Sequence, residues 1–292
     1  MADESDDITF GEFSQLYVAR YARPRLKRPR ELEEEIRRHF TLWMAVPLHA
    51  IKRSAIQAWV DDLAANKGKA LANRCHDDMR AMLNWAIRMD YLTGSNPAKN
   101  IDRYKLKARD RFVQPGLEFE MLAQAIAQEP DKTFRDFFWL CLFTGARRTN
   151  LQNMRWEDID FTLEIWKIPV TKNGDSHTVS LTAQALAILH ERHQTISSEW
   201  VFPSHILAGR PIGNPKAAWR RILKRAGIKN LRIHDLRRTL ASFMAIQGAS
   251  QFVIGKTLGH KSVSATAIYA RLTQAPVKEA MQQATQLMPK PK

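Results

Sequence analysis

The chain has 292 residues, 45% of them hydrophobic, which is ample for one or two domains with hydrophobic cores. No stretch approaches the roughly 18–20 consecutive apolar residues of a membrane helix, and the acidic segment 1–7 lacks the apolar core of a secretion signal. These features predict a cytoplasmic, nucleoid-associated protein without a membrane partner. The 45 Lys and Arg residues outnumber the 30 Asp and Glu residues, and the net charge of +15 favours a polyanionic partner, nucleic acid before an acidic membrane surface.

The N-terminal part of the chain has the apolar periodicity of helices. After the acidic tail, residues 8–105 are predicted to form an all-helical domain, because their apolar side chains recur at spacings of three and four. Trp43, Trp59 and Trp85 are expected in its core. The predicted helices cover residues 9–21, 31–44, 52–66 and 69–90.

Basic residues concentrate in three segments. The first, 20–30, contains no acidic residue, the second runs from 99 to 111, and the third from 216 to 238. One such cluster is as consistent with a solvated surface as with a binding site, but three in one chain favour a protein that follows a phosphate backbone. The DNA-binding candidates are Arg20, Arg23, Arg25, Lys27, Arg28, Arg103, Lys105, Lys107, Arg109 and Arg111.

The second basic segment also predicts a domain boundary. It follows the turn residues 93–97 and lacks helical periodicity, so residues 106–112 are interpreted as a basic linker. A second domain is predicted over 113–275, beginning with a helix at Leu117. The predicted fold class is therefore mainly α, with an all-helical first domain and a mostly helical second domain that contains a small antiparallel β-sheet.

A β-hairpin is predicted within the second domain. Residues 164–171 alternate apolar and polar side chains, Asn173 and Gly174 follow, and a second extended segment covers 177–181. Asn-Gly between two such segments is a strong hairpin signal. Lys172 is therefore expected at or beside the hairpin tip.

Further along, residues suited to phosphate chemistry follow one another. Arg147, in a Thr-Gly-Ala-Arg segment, opens a predicted helix, and His234 and Arg237 lie three apart on one face of another. His260 ends a Leu-Gly-His segment, and Tyr269 follows it in a short helical segment. Taken alone, each has an ordinary structural interpretation, such as a surface arginine or a packing tyrosine.

Metal-free exchange of a DNA phosphodiester requires such a set. It needs a nucleophile that can hold the DNA covalently, and fixed positive charge on the non-bridging oxygens. It also needs an acid for the departing 5′-oxygen and a base for the nucleophile. Arginine suits the phosphate because its planar guanidinium can contact two oxygens at once.

In order and approximate spacing, these residues resemble the catalytic motifs of the tyrosine recombinases, or phage integrases. The segments TGARRTNLQNMRWEDIDF, IPVTKNGDSHTVSLT, HDLRRTLASFM and LGHKSVSATAIYARL resemble that family too. Each motif is weak alone, whereas their order is specific. The resemblance covers essentially all of 113–275, and the helical segment 8–105 resembles the family's core-binding domain more loosely.

The resemblance implies a role for each matched residue. Tyr269 would be the nucleophile and would form a 3′-phosphotyrosyl bond. Arg147 and Arg237 would hold the scissile phosphate, and Lys172 would protonate the 5′-hydroxyl leaving group.

For the two histidines, it implies that His234 acts in proton transfer on the tyrosine and that His260 bonds a non-bridging oxygen. It implies no metal, ATP or other cofactor, because the bond energy is kept in the phosphotyrosine. The implied partners are double-stranded DNA, three further protomers in a synaptic homotetramer assembled from monomers, and accessory DNA-bending or excision factors. The implied function is integration or excision of a mobile element.

The sequence departs from the family pattern in places. Asn150 stands where the family commonly has an acidic residue, which leaves the support of the first arginine open. No small domain precedes residue 8, so either the enzyme has two domains or a further part is missing. The tail 276–292 can form an amphipathic helix, which the resemblance suggests docks on a neighbouring protomer.

Other classes of protein remain as alternatives. A DNA-binding protein with impaired catalysis would fit Asn150, and a type IB topoisomerase would share the chemistry. A metal-dependent nuclease is disfavoured, because the sequence offers no acidic cluster for a divalent ion. Cys75 and Cys141 lie far apart in apolar helical sequence and are expected to be buried free thiols.

Overall fold

The computed structural model describes residues 8–169, 176–260, 262, 266–272 and 274–286. The chain divides into two compact units between Ala108 and Arg109. Both units are mainly helical, and the second also contains a three-stranded antiparallel sheet. The predicted fold class is therefore confirmed.

Helices of the first unit begin and end where the local sequence supplies caps. Thr9 and Glu12 form a capping box at the first helix: Glu12 N donates to Thr9 Oγ1 (3.3 Å) and Thr9 N donates to Glu12 Oε2 (3.0 Å). Gly68, with a φ of +98°, separates the last two helices in a conformation that favours glycine. The helices are α1 (Phe10–Tyr17), α2 (Arg23–Arg25), α3 (Pro29–His39), α4 (Arg53–Lys67) and α5 (Lys69–Arg88), and a π-helical turn (Val18–Ala22) joins α1 to α2.

Aromatic side chains fill the core of this unit. Trp43, Trp59 and Trp85 are buried as predicted, and so is the free thiol of Cys75. The indole of Trp59 donates from Nε1 to the carbonyl of His39 (3.1 Å), so its burial leaves no polar atom without a partner.

The predicted helix 31–44 is too long. It ends with α3, and Thr41–Trp43 forms a 3-10 helix instead. Packing explains the difference, because Phe40 leaves helical geometry (φ −104°, ψ 16°) and its ring lies 5.7 Å from that of Phe10 and 4.8 Å from that of Trp59. A tertiary contact therefore overrides the apolar spacing that predicted a longer helix.

Most of the second unit is helical, and most of its helices share one hydrophobic core with the sheet. Cys141 lies in this core as a free thiol, as predicted. None of the described helices is long and apolar enough to cross a bilayer. The elements in chain order are α6 (Leu117–Ala127), α7 (Lys132–Thr144), α8 (Arg148–Gln152), β1 (Ile159–Asp160), β2 (Ile165–Ile168), β3 (His177–Ser180), α9 (Ala183–Thr195), α10 (Lys216–Ala226), α11 (Ile233–Ile246), α12 (Gln251–Leu258), a 3-10 helix (Ala267–Leu272) and α13 (Gln274–Gln286).

The strands pair in the order β1-β2-β3, and both pairs are antiparallel. Trp166, Ile168 and Val179 share the buried face, because alternate side chains of a strand point to the same side. Ile168 pairs with His177, so the chain returns from β2 to β3 between these two residues. Both predicted strands are present, in shorter form.

The sheet contains one strand that was not predicted, and the predicted hairpin tip lies outside the described residues. Strand β1 was not predicted, because two residues are too few to show an alternating pattern. Lys172 and the turn residues Asn173 and Gly174 lie in 170–175, outside the residues that the structure describes.

The division between the units falls within the segment 106–112. Arg109, a DNA-binding candidate, donates from Nη2 to Oδ2 of the buried Asp235 (2.8 Å). Arg111, another candidate, donates from Nη1 to Oε2 of Glu118 (3.0 Å). Both guanidinium groups thus pair with carboxylates of their own unit, and their assignment to DNA contacts stays a prediction.

Candidate active site

Arg147 lies in a tight connection between α7 and α8. Gly145 ends α7 with a φ of +59°, and a Cβ there would lie 2.9 Å from Cδ2 of Leu240. The backbone N–H of Ala146 donates to Oγ1 of Thr144 (3.2 Å), which closes the turn. Arg147 then takes extended backbone (φ −64°, ψ 137°) as the N-cap of α8. The Thr-Gly-Ala-Arg segment therefore forms a fixed turn that presents a half-buried arginine.

Arg237 lies on α11 and is held by the same turn. Its side chain is 5% exposed; Nη1 donates to the carbonyl of Gly145 (2.6 Å) and Nη2 donates to the carbonyl of Leu258. Burial, with repulsion from Arg147, lowers the pKa of Arg237 to about 10, although the nearby Tyr269 acts in the opposite direction. The two arginines are therefore close enough to repel each other.

Neither Arg147 nor Arg237 forms a salt bridge with a carboxylate among the described residues. The comparison with Arg192 is informative, because that equally buried side chain is paired with Asp136 at 2.9 Å. Buried charges are ordinarily paired, so the buried Arg237 and the half-buried Arg147, with no carboxylate partner among the described residues, are suited to bind an anion. Two guanidinium forks match the oxygens of a phosphate.

His234 lies on the first turn of α11, one turn before Arg237, and its side chain remains exposed. Partial desolvation by the surrounding protein lowers its pKa, and the guanidinium groups of Arg238 and Arg237 lower it further. The neutral imidazole, with one donor and one acceptor nitrogen, is therefore favoured near pH 7.

His260 follows Gly259, whose φ of +60° ends α12. Its Nδ1 lies 3.1 Å from Oγ1 of Thr266, which fixes the ring. Burial, followed by the charges of Arg237 and Arg147, lowers the pKa of His260 to about 4. This imidazole is neutral at physiological pH, and its Nε2 has no hydrogen-bond partner among the residues that the structure describes.

Tyr269 lies in the 3-10 helix after α12 and is 4% exposed. Its ring belongs to a small core with Ala241 and Leu258. Burial raises the pKa of Tyr269, while Arg237 and Arg238 oppose that shift. The side chain is thus buried near Arg237 and Arg238, with its hydroxyl protonated at neutral pH.

The predicted catalytic residues that the structure describes converge on one site. The pKa of His260 responds to Arg147, Arg237 and His234, and that of Arg237 responds to Tyr269. Lys172, outside the described residues, belongs to the chain between β2 and β3. The arrangement can hold an anion on two guanidinium groups beside a phenol and two neutral imidazoles.

His177, the first residue of β3, was not among the predicted site residues. Its Nε2 lies 3.2 Å from the carbonyl of Thr257, and a Cβ on Gly259 would lie 2.9 Å from its ring. Burial lowers its pKa, the hydrogen bond to Thr257 opposes that shift, and Arg237 and Arg147 lower the pKa further. A histidine on the inward side of a strand, two residues before a buried valine, was the available signal.

Asp235 was also missed. This fully buried carboxylate accepts from Arg109, from the backbone N–H of Arg232 (2.8 Å) and from Arg238 (3.0 Å). Burial alone would raise the pKa of Asp235, but these bonds outweigh it and hold the pKa below the usual range. Asp235 thus anchors the first turn of α11, which carries His234.

The phage integrase family model matches residues 117–275, more than half of the chain. The integrase of Salmonella phage P22 is 28% identical over 206 residues, which cover 66% of this chain and 52% of the relative. The tyrosine recombinase XerA of Pyrococcus furiosus is 32% identical over 185 residues, which cover 61% of this chain and 64% of the relative. The chain thus spans less than two thirds of the length of each of these curated relatives.

Solved structures of lambda integrase share the fold. A dimer bound to a COC′ core site has a TM-score of 0.73 at 20% identity, covering 91% of this chain and 78% of that one. A tetramer bound to a Holliday junction has a TM-score of 0.72 at 20% identity, covering 89% and 80%. With the family match over the segment that holds the site, the chain belongs to the phage integrase family.

Proposed function

We propose that the protein is a site-specific DNA recombinase that cuts and rejoins strands through a 3′-phosphotyrosine intermediate, and that it integrates or excises a mobile element. The observation that carries this proposal is the turn before Arg147: Arg237 donates to the carbonyl of Gly145 in that turn, neither arginine has a carboxylate partner among the described residues, and the buried phenol of Tyr269 lies near Arg237. Family membership supports the same reaction.

In the proposed reaction, the scissile phosphate binds Arg147 and Arg237. The oxygen of Tyr269 attacks phosphorus, its proton passes to His234, and a phosphotyrosyl bond forms as the bond to the 5′-oxygen breaks. Lys172 gives its proton to the departing 5′-oxygen. The arginines stabilise the charge that grows on the non-bridging oxygens, and rejoining follows the same steps in reverse.

His260 contributes a neutral donor in this scheme. In the tautomer whose Nδ1 accepts from the Thr266 hydroxyl, Nε2 carries the proton and can donate to a non-bridging oxygen. A bound phosphate would offset the charges of the arginines and raise the pKa of His260 from about 4. The site therefore supports a hydrogen bond to phosphate rather than a third fixed charge.

The proposed substrate is double-stranded DNA, bound by the basic residues that lie in solvent. These include Arg20, Arg25, Lys27, Lys105 and Lys107, which are all exposed. Lambda integrase has been solved as a tetramer on a Holliday junction, and we propose the same assembly here, from protomers that are monomers in solution.

Two observations support exchange of the C-terminal tail between protomers in that assembly. Val277 and Met281 lie one turn apart on α13, and they are 52% and 63% exposed. Side chains at this spacing form one face of a helix. We propose that the tail 276–292 docks through this apolar face on a second copy.

The test uses a nicked duplex spanning the ends of the element that encodes the protein, incubated in the presence of a chelator. Wild-type protein should give a detergent-stable, protease-sensitive shifted band. Tyr269→Phe, which keeps the buried ring, should bind the duplex and give none. Tyr91→Phe, a half-buried tyrosine of the first unit, is the matched control and should behave as wild type.

Other outcomes identify the alternatives. Tight binding without an adduct by the wild type would indicate a DNA-binding protein with impaired catalysis, with Asn150 as the first residue to replace. An adduct and relaxation of supercoils without exchange between two sites would indicate a topoisomerase. An adduct retained in Tyr269→Phe would assign the nucleophile elsewhere.

A further inference from the structure

His177 links the β2-β3 hairpin to the end of α12. The residue opens β3 and pairs with Ile168 at the end of β2, so it lies at the base of the connection that contains Lys172. Its Nε2 lies 3.2 Å from the carbonyl of Thr257, in the last turn of α12. Because a carbonyl only accepts, Nε2 carries the proton and donates.

The partners of His177 belong to the segment that holds the phosphate site. Thr257 is followed by Leu258, whose carbonyl accepts from Arg237, and then by Gly259. The imidazole packs so closely on Gly259 that a Cβ there would lie 2.9 Å from the ring. One side chain therefore fastens β3 to the backbone that also fixes the buried arginine.

The hydrogen bond also satisfies a helix end. Carbonyls in the last turn of a helix have no partner within it, and a histidine donor is a suitable one. With Nε2–H on the carbonyl, the neutral ring adds no positive charge beside Arg147 and Arg237, and burial and those arginines keep its pKa below the usual value. The hydrogen bond of His177 therefore leaves the positive charge of the phosphate site to Arg147 and Arg237.

From this geometry we propose that His177 is a positioning residue for DNA cleavage, which holds the β2-β3 hairpin so that Lys172 meets the departing 5′-oxygen. The inference rests on the proposed function, in which Lys172 is the general acid. His177 acts through the hairpin, and the contacts to Thr257 and Gly259 carry its effect.

Leaving-group chemistry tests this role. A 5′-bridging phosphorothiolate leaves as a thiolate, which needs no proton at neutral pH, so it removes the need for a general acid. His177→Phe keeps a ring against Gly259 but lacks the donor, and His177→Gln restores an N–H donor. Single-turnover cleavage is measured on ordinary and phosphorothiolate duplexes for these variants, Lys172→Ala and Tyr269→Phe.

We expect His177→Phe to cleave the ordinary duplex more slowly by on the order of 10–100-fold, with DNA binding retained. On the phosphorothiolate, its rate and that of Lys172→Ala should return to within a few fold of wild type. His177→Gln should retain most activity on both duplexes.

Equal slowing of His177→Phe on both duplexes would overturn the proposal, because His177 would then act on the arginines or on folding. So would wild-type cleavage by His177→Phe on the ordinary duplex. Failure of sulfur to rescue Lys172→Ala would remove the general-acid role and this inference with it, while leaving the nucleophile intact. Cleavage by Tyr269→Phe would instead refute the proposed function itself.

Discussion

Two exposed arginines of the first unit and a buried arginine of the second are used in opposite ways. In the first unit, Arg23 and Arg28 are 61% and 68% exposed and form salt bridges with Glu33 and Glu31. In the second unit, Arg237 is 5% exposed and bonds backbone carbonyls. Exposed pairs contribute about 0–1 kcal/mol, so the first group can exchange a glutamate for a phosphate at little cost.

The exposed arginines are expected to contribute to the affinity for DNA, and the buried arginine to the rate of cleavage. Surface cations add up to a field that attracts DNA and weakens with salt. A buried arginine without a carboxylate is preorganised for one anion in one geometry, and it acts most strongly where charge grows in the transition state. Removing exposed basic residues should therefore weaken DNA binding, whereas removing the buried arginine should slow cleavage.

Arg237→Met should have the largest effect. It removes a clamp that contacts the phosphate only at the site, so we expect cleavage to fall on the order of 10²–10³-fold while the affinity for DNA changes little. Single-turnover cleavage of a nicked duplex and fluorescence anisotropy measure the two quantities.

Arg192→Met is the matched control, because Arg192 is equally buried but paired with Asp136. Removing it leaves a buried carboxylate with less compensation, so we expect a loss of about 3 kcal/mol in the free energy of unfolding, with cleavage preserved in the folded protein. If both variants lost cleavage alike, the distinction between paired and unpaired buried arginines would be wrong.

Asp235→Asn should lower the free energy of unfolding by about 2–3 kcal/mol at pH 7, because it breaks a buried carboxylate pair whose partner Arg109 is 20% exposed and so partly screened. The folded-state pKa of Asp235 is below its usual value. Its stabilisation is therefore present above the unfolded-state pKa of about 3.9 and is lost as the pH falls through the lower folded-state pKa. In urea unfolding, the difference in the free energy of unfolding between Asp235→Asn and wild type should decrease as the pH falls. A difference that does not depend on pH would contradict this account.

The double variant Arg25→Ala with Lys27→Ala should weaken DNA binding without slowing cleavage at saturating protein. Each lost phosphate contact lowers the slope of log K against log salt by about 0.9, so we expect a decrease of about 2. Lys67→Ala, an exposed lysine outside the basic segments, is the control. An unchanged salt slope would remove this cluster from the DNA-binding surface.

The smallest expected effect is a shift in the pKa of His260 when DNA binds. In protein without DNA, His260 should titrate at about pH 4 because burial and two guanidinium groups disfavour its cation. Bound phosphate should offset those charges and move the pKa upward. Imidazole resonances followed by NMR against pH measure this shift, and an ordinary pKa both with and without DNA would place His260 outside the charged site.

Features carried by local sequence could be predicted. The Thr-Gly-Ala-Arg turn depends on Gly145, and the placement of Arg147 follows from it, so order and spacing along the chain were sufficient. The core tryptophans follow from helical periodicity. In the same way, Asn-Gly between alternating segments located the hairpin.

Features that depend on long-range pairing could not be predicted. Arg109 is a DNA-binding candidate because its cluster is basic, but its pairing with Asp235, which lies far along the chain, could not be predicted from that pattern. His177 looks like any strand residue until α12 is packed against it. Tyr269 was predicted on a short helix, and only the packed structure shows how deeply its ring is buried.

The most direct test of the central claim is the identity of the residue that holds the DNA. Trypsin cleavage after Lys261 and Arg271 should release residues 262–271 from a trapped covalent complex, and mass spectrometry can locate the nucleotide on that peptide. We predict a 3′-phosphate ester on Tyr269. A nucleotide on any other residue, or cleaved DNA with free ends and no attached peptide, would contradict the account.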